Sequence, residues 1–421
     1  MDEIKLPKEE VFPVENIIKW KGNQLPKTDV NGCIKILSKE EIDKAKTFHE
    51  SFDQYSKTPL QDLKELANHI GVGGIYLKDE SYRFGLNAFK VLGGSFAMAH
   101  YMAEKLGMDI GELGYERLIS DEIREKLGDM LFVTATDGNH GRGVAWTANQ
   151  LKQKSVVYMP KGSSGTRVEN IRKEGAEVTV QDMNYDDCVR LAAKYAEENN
   201  GVVIQDTAWE GYEDIPVWIM QGYGTMALEA IEQLNELGVD RPTHIFVQAG
   251  VGSLAAAVQG VFASIYKDNC PTTTIVEANI ADCVYRSAVA GNGKAIAVGG
   301  DLQTIMAGLA CGEVNTIGWE ILKNHSSMFV SCPDWVAANG MRILGNPLKN
   351  DPYVISGESG AVTTGLLVEI MKNDEYKELR EKLNLNEDSK ILLFSTEGDT
   401  DPDKYRSIVW TGECTNQKAI K

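Results

Sequence analysis

The chain is predicted to be an α/β protein of two domains, each a largely parallel twisted sheet flanked by helices, and three observations carry that prediction. Short β-branched runs alternate with helix-like stretches, as expected for parallel strands joined by crossover helices. The turns between them are rich in Gly or polar residues. At 421 residues, 43% hydrophobic and 25% charged, the chain can bury a sizeable core and exceeds a single compact domain.

Taken in order, "LFVTAT" runs through "DGNHGRG" into "VAWTANQLK", "SVVYMPKG" into "TRVENIRKEG", and "THIFVQAG" through "VGS" into "LAAAVQGVFASIY". Further strands are expected at "AEVTVQD", "GVVIQD", "TTTIVEAN", "YVIS" and "KILLFST". The strand-helix units of residues 92–225 set off a smaller domain, with residues 1–91 and 226–421 forming the larger one. Sheets of this kind carry their sites beyond the carboxyl ends of their strands.

Composition narrows the function classes. A net charge of −18 argues against nucleic acid or an anionic membrane, both of which need a basic face. Seven cysteines are scattered with neither a CxxC pair nor a His/Cys cluster at metal-ligand spacing, so reduced cytoplasmic thiols and no metal are expected. The stretch "MDEIKLPKEEVFPVENIIKW" has no basic region followed by an apolar one, and no run of about 18 apolar residues occurs.

Chemistry is sought in the loops. "GLNAFKVLGG", residues 85–94, sets Lys90 in an apolar, small-residue run. Buried there, its amine would shift toward the neutral, nucleophilic form of a Schiff-base lysine; exposed, its stem would merely snorkel to water. "TATDGNHGRG" places Gly138, Gly141 and Gly143 where amides approach an anion at a helix start. Asp137 in that loop either caps the helix or has a catalytic task, and His140 is a base or a hydrogen-bonding group. Asp206 and Glu210 follow a strand in "IQDTAWEGY", so Asp206 either caps a turn or forms an acid/base pair with Asp137. In "QAGVGSLAAAV", Gly250, Val251, Gly252 and Ser253 open a helix as phosphate loops do. The same residues spell G-x-G-x-x-A, and Glu277 ends the next strand, which leaves an NAD-binding reading open. "ISGESGAV" and "LLFSTEGDTD" are further strand ends, the latter offering the hydroxyls of Ser395 and Thr396.

Together, "KDESYRFGLNAFKVLGG", "TDGNHGRG" and "GVGS", in that order, resemble the fold-type-II pyridoxal-phosphate enzymes, the tryptophan synthase β family that includes threonine dehydratase. With "MNYDD", "QDTAWEGY", "MAGLACGE" and "STEGDTD", the chain is similar in particular to the ammonia-lyases of 2,3-diaminopropionate. The resemblance implies a cytoplasmic homodimer acting in amino-acid degradation, with pyridoxal phosphate as cofactor and a small amino acid as substrate. Lys90 is then the lysine that holds the cofactor aldehyde, Gly250 to Ser253 hold the phosphate, and Ser395 or Thr396 faces the ring nitrogen. Thr136, Asn139 and His140 lie by the substrate carboxylate and the ring hydroxyl. Asp137, where the family has a small residue, favours a substrate with a second ammonium. Asp137 and Asp206 lie opposite or beside Lys90 on the cofactor, so that a lysine amine and a carboxylate can each take a Cα proton from one enantiomer. The implied products are pyruvate and two ammonia molecules, formed by way of an aminoacrylate. A serine or threonine dehydratase of the same fold is the near alternative.

Overall fold

The computed structural model describes residues 15–136 and 138–416. Among them eleven strands form two sheets. The strands are β1 (Lys19–Gly22), β2 (Leu60–Asp62), β3 (Gly74–Asp79), β4 (Leu131–Ala135), β5 (Lys154–Met159), β6 (Glu177–Val180), β7 (Val202–Val203), β8 (His244–Gln248), β9 (Thr272–Ala278), β10 (Met328–Cys332) and β11 (Lys390–Ser395). The larger sheet runs β1-β10-β9-β8-β11-β3-β2 and the smaller β6-β5-β4-β7. Only the edge strands β1 and β2 pair antiparallel; every other pairing in both sheets is parallel. The α/β reading of strands alternating with helices is therefore correct.

The parallel strands read as apolar runs because both faces are covered. In β8, Ile245 and Val247 face a core shared with the helices Lys39–Glu50, Val91–Leu106, Asp214–Glu236 and Ser253–Tyr266, while Phe246 faces the helices Asp334–Gly345 and Glu358–Lys372 on the other side. Each such fully buried side chain is worth roughly 1.5–3 kcal/mol. The smaller sheet is sandwiched likewise, Val133 and Val156 against helix Tyr185–Glu198 and Val157 and Met159 against helix Gly165–Lys173.

Two departures from the expected strands are instructive. Residues 353–356, "YVIS", form no strand; the amide of Val354 instead donates to Leu344 O as the chain enters helix Glu358–Lys372. Strand β3 escapes the apolar criterion because Lys78 and Asp79 sit in it, both buried. Lys78 is accommodated by an ion pair with Glu229 at 2.7 Å, a partner no local pattern reveals.

Two helices set the geometry beneath the site. Val91–Leu106 crosses Asp214–Glu236 at backbone distance: a Cβ on Gly222 would lie 2.3 Å from Leu92 O, and one on Gly93 2.5 Å from the Tyr223 ring. The glycine that follows Lys90 in "KVLGG" is thus required by packing, and it admits Tyr223 to the site. Residue 225, where the smaller domain was expected to end, lies inside the continuous helix Asp214–Glu236.

Candidate active site

Lys90 stands at the N-cap of helix Val91–Leu106, at the end of a segment zipped onto the turn after β11. The amide of Phe89 donates to Thr396 O at 3.1 Å, and that of Gly398 to Asn87 O at 3.0 Å. From below, Gly143 comes so close that a Cβ there would lie 2.8 Å from Val91 Cα. Lys90 is held on two sides by backbone, and its Nζ meets Asp206 Oδ2 at 2.6 Å.

Asp206 follows β7 and is buried. Burial works to raise its pKa, but Lys90 foremost, then His140 and the Tyr223 hydroxyl at 3.3 Å, pull it down to about 2. Its carbonyl accepts hydrogen bonds from Ser253 Oγ and, at 3.0 Å, Asn315 Nδ2. The Asp206 strand end and the Gly250–Ser253 loop are thereby tied together. Glu210, by contrast, is exposed and takes no part.

That loop opens helix Ser253–Tyr266, whose N-cap, Gly252, has φ 97° and supplies no side-chain cap. The first amides of a helix lack intrahelical partners, and here Gly250, Val251, Gly252, Ser253 and Leu254 line an inner cavity with Lys90 and Asp206. A Cβ on Gly250 would crowd Cys311 Sγ and Gly308 O, each 3.2 Å away. The result is a bare-backbone cradle at the positive end of a helix dipole, suited to a phosphate.

Across the cavity, Asn139 begins helix Asn139–Gln150, and its Nδ2 donates to Glu397 Oε2 at 2.5 Å. Thr136 Oγ1 accepts from the amides of Gly138 and Gly141 at 2.9 and 3.0 Å, which shapes the loop. His140 is buried with Nε2 2.7 Å from Ile204 O, so it braces the approach to Asp206. Thr136 and His140 line an outer cavity of about 570 Å³ that shares Lys90, Gly308 and Cys311 with the inner one. Asp137, expected to be catalytic and substrate-binding, lies outside the described residues.

At the end of β11 the two candidate hydroxyls part company. Ser395 Oγ is 2.8 Å from Ser356 Oγ, buried behind the cavity, whereas Thr396 lines it and accepts from Gln248 Nε2 at 2.7 Å. Tyr223, Gln248, Ser359 and Glu397 also line the cavity, and none was singled out from the sequence. A signal existed for two of them: Gln248 is the polar end of an apolar strand, and Glu397 follows Thr396 in "STEGDTD". Glu277, which the dinucleotide reading would place on a ribose, is buried and accepts from the amides of Val284 and Tyr285 at 2.9 and 2.6 Å. It caps a helix and is not available to a ligand.

Residues 52–396 match the family described as pyridoxal-phosphate dependent enzyme. The chain belongs to that family. It is 51% identical over 95% of its length to the diaminopropionate ammonia-lyase of Salmonella typhimurium, covering 99% of that protein. The crystal structure of Escherichia coli diaminopropionate ammonia-lyase in complex with D-serine superposes with a TM-score of 0.88, at 49% identity, covering 96% of this chain and 99% of that one. The same enzyme in complex with an aminoacrylate-PLP azomethine reaction intermediate gives 0.85 at 48% identity, covering 96% and 100%.

The site fits the cofactor of the family. The glycine cradle and Lys90 line one inner cavity, and two buried polar atoms among its lining residues, Gln248 Oε1 and Ser359 Oγ, have no hydrogen-bond partner among the described residues. Buried polar atoms left without partners are costly, so a polar ligand belongs among them.

Proposed function

We propose that this chain eliminates ammonia from D- and L-2,3-diaminopropionate, giving pyruvate and two ammonia molecules. The observation that carries the reading is the coincidence of Lys90, a charged Asp206 and the glycine cradle in one cavity, in a chain half identical to diaminopropionate ammonia-lyases along nearly its whole length.

Lys90, Asn139, Thr396 and Gly250 to Ser253 hold pyridoxal phosphate, which when bound supplies an electron sink for the charge left at Cα. Lys90 would hold the cofactor's aldehyde, and its Nζ, in the same cavity as Asp206, is an amine able to take or return a proton at Cα. Asp206, kept charged by its surroundings, can accept a proton there; Asp137 is assigned the matching role for the other enantiomer. Of the two hydroxyls proposed to face the ring nitrogen, Thr396 is favoured, because Gln248 donates to its oxygen and leaves its proton free to point inward. Thr136 and His140 hold the loop that receives the substrate carboxylate.

The reading includes a larger domain of residues 1–91 and 226–421, a smaller one of 92–225 whose C-terminal boundary moves off residue 225 to an end of helix Asp214–Glu236, and a homodimer. A cytoplasmic setting is supported by seven free cysteines, the state expected in a reducing compartment. No helix among the described residues is long and apolar enough to cross a membrane.

The test is a panel of D- and L-diaminopropionate, serine and threonine, with pyruvate or 2-oxobutyrate and ammonia both measured. Two ammonia per pyruvate from the diamine, lost in Lys90→Ala, is the expected result. Turnover of hydroxy amino acids alone would replace the reading with a dehydratase.

A further inference from the structure

A further carboxylate lines the inner cavity. Glu397 follows Thr396 directly after β11 and is only 3% exposed. Its Oε2 accepts from Asn139 and, at 3.2 Å, from Thr400 Oγ1. Its Oε1 is buried with no hydrogen-bond partner among the described residues, and the residue lines the same inner cavity as Lys90 and Asp206. The carboxyl rests on bare backbone: a Cβ on Gly357 would lie 2.8 Å from Glu397 Cγ. Among the described residues no Lys or Arg forms an ion pair with it, whereas Asp206, Glu229 and Asp282 are each paired. Beside it, Glu358 is 4% exposed; burial first, then Glu397, raise its pKa to about 7. Two adjacent buried carboxyls of which one readily keeps its proton make a site that gains by receiving a cation.

A diamino acid differs from serine in one group, a second ammonium on Cβ. Resting on the function proposed above, we propose that Glu397 takes that ammonium through Oε1 and thereby selects a diamine over a hydroxy amino acid. A charge-assisted hydrogen bond to a buried carboxylate oxygen is stronger than the one a hydroxyl can donate. The contact also suits the chemistry. Cα gives its proton to a base, the C–H electron pair becomes the Cα–Cβ double bond, and the Cβ–N pair leaves with nitrogen. An amine held as ammonium departs as neutral ammonia, and no further acid is needed.

The experiment is kcat/KM for diaminopropionate and for serine in wild type and Glu397→Gln, with the cofactor absorption band recorded in each. Expected is a fall of about 10–100-fold in the diamine-to-serine ratio with the band retained. Glu397→Asp, which keeps the charge but retracts it by one methylene, should lose less of that ratio than Glu397→Gln. If Glu397 serves only to position Asn139, both substrates fall together and the ratio stays put, which overturns the assignment. Should Glu397→Gln not fold, the wild-type enzyme carries the test. There ethylenediamine should perturb the cofactor band at a concentration about tenfold or more below ethanolamine, and equal potency overturns the proposal. A wild type that makes no pyruvate from the diamine would refute the proposed function instead, a result distinct from an unchanged ratio.

Discussion

Replacing Glu229 with Gln should destabilise this protein severely, because Glu229 anchors a buried ion network beneath the segment that leads to Lys90. Lys78, Arg83 and Glu229 all have fully buried side chains. Glu229 receives Lys78 Nζ and Arg83 Nη2, each at 2.7 Å, and Tyr55 at 2.8 Å. Arg83 also reaches Glu80 twice at 2.8 Å. In Glu229→Gln, Arg83 keeps one carboxylate, whereas Lys78 loses its ion-pair partner and is left with neutral acceptors such as Thr58 O and Gln233 Oε1. An uncompensated buried cation costs about 3–5 kcal/mol, so at a urea slope near 3 kcal/mol/M the unfolding midpoint falls by about 1–1.7 M. Adding Lys78→Met removes the stranded charge and should recover much of the loss, a coupling that a double-mutant cycle measures. A loss below about 1 kcal/mol in Glu229→Gln, or simple additivity in the double variant, would refute the reasoning.

Three further expectations concern the site. Gly143→Ala forces a methyl against the backbone at Val91, so it should displace Lys90, weakening cofactor retention and cutting kcat at least tenfold; unchanged cofactor affinity would contradict the packing argument. Gly252→Ala must adopt φ near 97° at a cost of roughly 1–2 kcal/mol, and should weaken phosphate and cofactor binding, read by dialysis of the coloured protein. Asp206 has its folded pKa lowered to about 2, so its contribution is full above the unfolded value near 3.9 and is lost as pH falls. In cofactor-free protein about 1 kcal/mol should be gone by pH 3, and Asp206→Asn should lack that component of the acid sensitivity.

Much of the fold was legible because its signals are local. Parallel strands buried on both faces must be continuously apolar, and "THIFVQ", "TTTIVEAN" and "KILLFST" each became a strand. "MFVSC", bounded by Ser and Pro, carried the same signal, whereas β3 hid its nature in Lys78 and Asp79, whose burial depends on partners elsewhere. "YVIS" shows the converse: three apolar residues and a serine make no strand where they are not paired with a neighbouring one.

The features that the sequence by itself determined are those written in the local backbone: the bare glycine loop from Gly250 to Ser253 at a helix start, and Lys90 in its glycine-flanked run. What only tertiary structure decided are the meetings across the chain. Lys90 finds Asp206 at a separation of 116 residues, Asn139 finds Glu397 at 258, and Gln248 finds Thr396 at 148. Helix and turn propensities reach only a few residues, whereas these contacts follow from β11 lying between β8 and β3 and from a helix crossing close enough to need glycine on both sides.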